Sequence, residues 1–123
     1  MKGQKELLFE IIETSEYDLK KEKIGELVRA TLPTILLENL ISETEIKKLQ
    51  EEEYSKIALE MNYPVLKKMD PKLSVLQNRM INEHSRYYAS VYENSGDQYL
   101  ICSEWYERSL EDYIKWLKRK VIK

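Results

Sequence analysis

Three glycines and three prolines punctuate a chain of 123 residues, and that scarcity is the strongest constraint on its fold. A domain built from many short strands needs a turn about every eight to twelve residues, and turns draw heavily on Gly and Pro. Too few of either are present for an all-β chain. The abundance of Lys, Glu and Leu points instead to helix. With 42% hydrophobic and 34% charged residues, the chain is too apolar for disorder. Its length fits one domain over residues 1–123 and suffices to bury roughly two thirds of the unfolded surface.

Apolar periodicity places the helices. Lys2 to Glu13 carries Leu7, Leu8, Ile11 and Ile12 on one stripe. Ser15 is positioned to cap a second helix, Glu16 to Ala30, with Leu19, Ile24, Leu27 and Val28 inward. Pro33 is read as an interruption, with a short helix from Thr34 to Leu40 after it. Ser42-Glu43-Thr44-Glu45 has the form of a capping box, in which Ser42 accepts from the Glu45 N–H and the Glu45 carboxylate reaches back. It opens a helix from Glu43 to Gln50. Glu52 to Met61 follows, with Tyr54, Ile57, Ala58 and Met61 on one face and Asn62 in the left-handed cap. Pro64 and Pro71 each suit a first helical turn, predicting a short helix over Pro64 to Met69 and a helix over Lys72 to Asn82 with Leu73, Leu76 and Met80 inward.

The pattern changes at Arg86. Tyr87 to Tyr92 is aromatic and β-branched, Glu93 to Asp97 is turn-like, and Gln98 to Ser103 is again strand-like, which predicts a hairpin with a loop of about five residues. Such a hairpin is marginal alone and must rest on helices or gain a third strand. An amphipathic helix from Glu104 to Val121 closes the chain. Its Lys118, Arg119 and Lys120 complement the negative end of the helix dipole. The expected fold is α+β and mostly α. It has five to seven helices over residues 1–84, then one C-terminal hairpin and a long final helix over residues 85–123.

Several kinds of chemistry lack the residues they need. Zinc favours several Cys or His ligands, and the chain has one of each, Cys102 and His84. Gly3, Gly25 and Gly96 are scattered, so neither GxGxxG nor a P-loop occurs. The expectation is no metal, no cofactor and no catalytic residue. A Cys102–His84 pair would need hydrogen-bond reach. Antiparallel pairing puts Cys102 opposite about Tyr88 and leaves His84 about four residues further along. Cys102 also follows Tyr99-Leu100-Ile101, which predicts burial and an inert thiol. One cysteine, no signal-like leader and no apolar run near 18 residues lead to a cytoplasmic expectation without membrane contact.

The most distinctive grouping is aromatic and basic. Six of nine tyrosines and both tryptophans lie between residues 87 and 116. Residues 61–123 hold 11 Lys/Arg against 8 Asp/Glu, whereas residues 1–60 hold 9 against 14. Alternation puts Tyr87, Ala89 and Val91 on one strand face and Tyr88, Ser90 and Tyr92 on the other. The candidate binding surface is Arg79, Arg86, Tyr88, Tyr92, Lys118, Arg119 and Lys120. Tyrosine beside arginine stacks unpaired bases and holds phosphates. The same pair of residue types makes protein hot spots. A helix-turn-helix fits Tyr54 to Met69 badly, because Asp70-Pro71 ends its second helix too early to lie in a major groove. A winged-helix arrangement is compatible with the element order without being specific to it.

The leading expectation is a non-catalytic binding or regulatory domain with a nucleic-acid partner. The alternative is a protein-interaction domain such as an inhibitor, immunity protein or accessory subunit, favoured by a sequence pI of about 5.6 and the acidic first half. A carboxylate-based hydrolase stands third. An uncovered hairpin edge would also offer a template for a homodimer.

Overall fold

In the computed structural model, which describes residues 3–122, the positions of the apolar residues decide where the first helices stop. Helix α1 spans Gln4–Glu13, α2 Glu16–Leu19 and α3 Ile24–Leu37. Ser15 caps α2, accepting from the Asp18 N–H at 3.1 Å. The helix expected to run unbroken to Ala30 instead stops after one turn. Leu19 and Ile24 are five residues apart, about 140° around a continuous helix, yet both are buried. Breaking the helix lets both face the core.

Pro33 does not interrupt α3, which continues through it to Leu37. An internal proline costs about 3 kcal/mol. Burial of Ile24, Leu27, Val28, Leu32, Ile35 and Leu36 along this central helix outweighs that cost.

Helices α4 (Glu43–Leu49) and α5 (Glu52–Leu59) follow. The Ser42 half of the capping box forms, with Glu45 N–H donating to Ser42 Oγ at 3.1 Å. The other half does not. The Glu45 carboxylate is buried and accepts from Tyr54 Oη at 2.6 Å and Trp116 Nε1 at 2.8 Å. In α5 the buried residues are Ser55 and Leu59, and Ile57 is exposed, so the inward face is turned from the expected one. Glu60, not Asn62, takes the left-handed cap, at φ 53°.

Two predicted helices are replaced. Leu66–Lys68 is a strand, β1, rather than part of a helix from Pro64. The stretch read as Lys72 to Asn82 holds only a short helix α6 (Val75–Arg79), followed by a small antiparallel pair, β2 (Met80–Ile81) and β3 (His84–Ser85). The sheet requirement explains β1. The hairpin of β4 (Tyr92–Asn94) and β5 (Asp97–Ile101) needs a third strand, and β1 pairs antiparallel with β5 to give the order β1-β5-β4.

The hairpin loop is two residues, not five. Ser95 and Gly96 both have positive φ, 50° and 85°, the signature of a type I′ turn. Tyr87 to Tyr92 is not one strand. Tyr87 bridges Cys102 and Tyr92 pairs with Tyr99, so four residues face two and the chain bulges between them. The expected alternation of faces is lost there.

A 3-10 turn at Glu107–Ser109 leads into α7, Leu110–Lys120. Tyr113 of α7 lies between Trp105 (centroids 5.2 Å apart, edge-on) and Trp116 (5.6 Å, stacked). Its hydroxyl is 2.7 Å from Thr31 Oγ1 of α3. The hairpin is tied to α3 by the buried Asn94, whose Nδ2 donates to the Leu36 carbonyl at 2.8 Å. Helices and sheet thus share one core.

Candidate docking surface

Between β1 and β4 the chain makes an excursion that the sheet does not require. Asp70 starts it with an Asx turn, its carboxylate accepting from the Lys72 N–H at 3.0 Å. Ser74 then forms the complete capping box that Ser42 lacks. Gln77 N–H donates to Ser74 Oγ at 3.1 Å, and Ser74 N–H donates to Gln77 Oε1 at 2.9 Å.

A five-residue helix does not hold itself in water. Here a fully buried asparagine holds it. Asn78 Nδ2 reaches the carbonyls of Asp70, Leu73 and Ser74 at 3.1, 3.3 and 2.9 Å. Its Oδ1 accepts from the Asp70 N–H at 2.8 Å. The Asn78 carbonyl accepts from Lys67 Nζ at 2.6 Å, joining the excursion to β1.

The result is a fixed lobe with an apolar surface. Leu73, Val75 and Leu76 are 43%, 38% and 61% exposed. Single exposed leucines are ordinary, but three large apolar side chains within four residues form a patch. Residues 66–86 contain five Lys/Arg and two Asp/Glu. Lys67 and Arg79 bond backbone carbonyls, and Lys68 and Arg86 pair with Asp97 and Glu104, so the exposed Lys72 is the cation beside the patch without an ion pair among the described residues.

On α1, α2 and α3 lies a feature of opposite character, a groove of about 330 Å3. Ile11, Leu19, Leu27 and Ala30 give it an apolar lining, and Asp18, Glu22 and Glu26 supply three carboxylates. No Lys or Arg lines it among the described residues. Apolar linings with a few placed polar groups are the usual make-up of binding clefts.

The seven residues marked from sequence are not brought together as one open face. Lys118 Nζ donates to the carbonyls of Ile12 and Thr14, both at 2.6 Å, and so caps the C-terminus of α1. Lys120 lies 3.8 Å from the buried Glu45 carboxylate. Arg79 Nε donates to the Tyr87 carbonyl at 2.8 Å. Arg86 pairs with Glu104 at 3.1 Å and covers the Tyr63 ring, and its buried Nε has no hydrogen-bond partner among the described residues. Tyr88 and Tyr92 are half-buried against the core, with Arg29 over the Tyr88 ring. Burial raises the Tyr88 phenol pKa, and Arg29 opposes that shift in part. Arg119 is exposed and makes no hydrogen bond or ion pair among the described residues. Of the seven, Arg79 and Arg86 border the lobe, flanking the β2–β3 pair.

Cys102 and His84 lie on different sheets. His84 pairs with Ile81 in the β2–β3 pair, whereas Cys102 follows β5. Cys102 is fully buried, and burial pushes its thiol up to about 12. No group of three His, Cys, Asp or Glu among the described residues is placed to hold a metal ion, and none of the helices is long and apolar enough to cross a membrane.

Sequence reasoning misses the lobe because helical spacing puts Leu73 and Leu76 on the inward face of a helix over Lys72 to Asn82. The signal for it was present: Asp70-Pro71 and Ser74-x-x-Gln77 are two start signals four residues apart, too close for one helix. Comparison with protein-family models, with curated proteins and with solved structures finds no match to this chain.

Proposed function

We propose that this chain is a non-catalytic protein-interaction domain that presents the Leu73–Val75–Leu76 lobe to an apolar pocket with an acidic rim on its partner. One observation carries the reading: three exposed apolar side chains on a segment pinned by the hydrogen bonds of the buried Asn78. Preorganised apolar anchors lose little conformational freedom on binding, which is how small contacts become useful ones. The exposed Lys72 beside them favours an acidic rim on the pocket they fit. The nucleic-acid reading has less support, since Lys118 and Lys120 already serve internal carbonyl and carboxylate partners.

The test is affinity capture from extract with and without nuclease treatment, comparing the natural sequence with Leu76→Glu and with Ile57→Glu as a control at a still more exposed position. Recovery of one stoichiometric protein that is lost with Leu76→Glu and kept with Ile57→Glu supports the reading. Recovery that is indifferent to Leu76→Glu, or that disappears with nuclease, overturns it.

A further inference from the structure

We propose that the pocket which receives the lobe is carried by a second copy of this chain: the acidic-rimmed groove of α1, α2 and α3. This rests on the protein-interaction reading and names its partner. Two surfaces of one molecule are complementary here. The groove offers Ile11, Leu19 and Ala30 as apolar lining with the Asp18, Glu22 and Glu26 carboxylates. Asp18 is paired with Lys21 at 3.5 Å, which leaves Glu22 and Glu26 as its open anions. Neither Glu22 nor Glu26 makes an ion pair within the described chain. The lobe offers the converse, exposed Leu73 and Leu76 beside the exposed Lys72. An apolar anchor set in a field of opposite charge fixes both affinity and orientation.

Lobe and groove are different patches, so the contact is heterologous. It closes as a two-fold dimer if each copy seats its lobe in the other, and otherwise propagates from copy to copy. A contact built on so few anchors belongs to the small, transient class of interfaces, so association is weak and depends on concentration.

The experiment is sedimentation velocity from about 5 to about 500 µM, a range suited to interfaces of that class. It uses the full chain, Leu76→Glu, and the Glu22→Lys/Glu26→Lys double variant, with circular dichroism as a check on folding. All three substituted side chains are exposed. The full chain is expected to shift toward twice the monomer mass or beyond as concentration rises, and to shift less at about 0.5 M salt, where screening is short-ranged. Each variant alone is expected to stay monomeric. An equimolar mixture of the two retains one intact lobe and one intact groove, and is expected to recover a dimer. A full chain that stays monomeric overturns the proposal, as does association that survives either variant or a mixture that recovers nothing. A monomeric chain whose heterologous capture is nonetheless lost with Leu76→Glu separates the failures: the interaction reading stands and self-recognition falls.

Discussion

Asn78 and Asp70 bond each other twice: the Asp70 N–H donates to Asn78 Oδ1 at 2.8 Å, and Asn78 Nδ2 donates to the Asp70 carbonyl at 3.1 Å. This reciprocal pair closes the base of the lobe. Asn78→Ala removes it and leaves backbone groups of residues 70–74 without partners. The expected cost is about 1–3 kcal/mol, confined to the excursion because α6 adds little to the core. Hydrogen exchange is expected to speed up in residues 70–79 by tenfold or more, with α3 and α7 unchanged. Uniform loss of protection across the chain would show instead that the lobe is part of the global folding unit.

The Glu45 carboxylate is a second internal node. It joins α4 to Tyr54 of α5 and Trp116 of α7. Glu45→Ala strands the Trp116 and Tyr54 donors at an expected cost of about 2–4 kcal/mol. Glu45→Gln keeps an acceptor oxygen and is expected to cost less. Urea denaturation followed by tryptophan fluorescence measures both. Equal effects of the two substitutions would mean that charge, not hydrogen bonding, governs the site.

Lys118 is expected to behave as a structural residue. Lys118→Met keeps much of the aliphatic stem but loses both bonds to the α1 terminus, for about 1–2 kcal/mol of stability. The same variant tests the nucleic-acid reading by fluorescence anisotropy with labelled DNA and RNA. Salt-dependent binding that weakens with Lys118→Met while stability holds would count for that reading and against the structural one.

The buried Cys102 thiol gives a pH dependence of definite sign. Its pKa is raised, from 9.0 to about 12 by burial, so the unfolded chain loses this proton first. The associated stability is therefore complete below about pH 9 and is lost as pH rises toward 12, by up to about 1.4 kcal/mol per pH unit. Burial raises the Tyr87 and Tyr113 phenols in the same direction, extending the loss at high pH. Native Cys102 is expected to react with thiol reagents near pH 8 far more slowly than a free cysteine, because it is buried and held as the thiol. Reaction at the free rate would place the thiol at the surface.

How much of this was legible in the sequence depended on whether local signals stood alone. The Ser15 cap and the α4 start at Ser42 are readable from capping. Periodicity alone marks Leu110, Tyr113, Ile114 and Leu117 of the final helix as buried, although that helix starts at Leu110 rather than Glu104 and leaves Tyr106 outside it. The hairpin was readable in kind, and Cys102 fell one residue from its expected partner, opposite Tyr87 rather than Tyr88. What failed needed tertiary context. Nothing local marks Leu66–Lys68 as the strand that β5 requires, or shows that core burial carries α3 through Pro33. The basic and aromatic residues were visible as a set, but their partners were not. Lys118 meets Ile12 and Thr14 more than a hundred residues away, and no spacing rule reports such a contact.

The most direct measurement is a hydrogen-exchange comparison of the free chain with the complex recovered in the capture experiment. Exchange is expected to slow in residues 70–79, most of all on α6, with the C-terminal face of Arg119 unchanged. Protection that leaves residues 70–79 untouched and falls on another face would contradict the assignment of the lobe as the working surface.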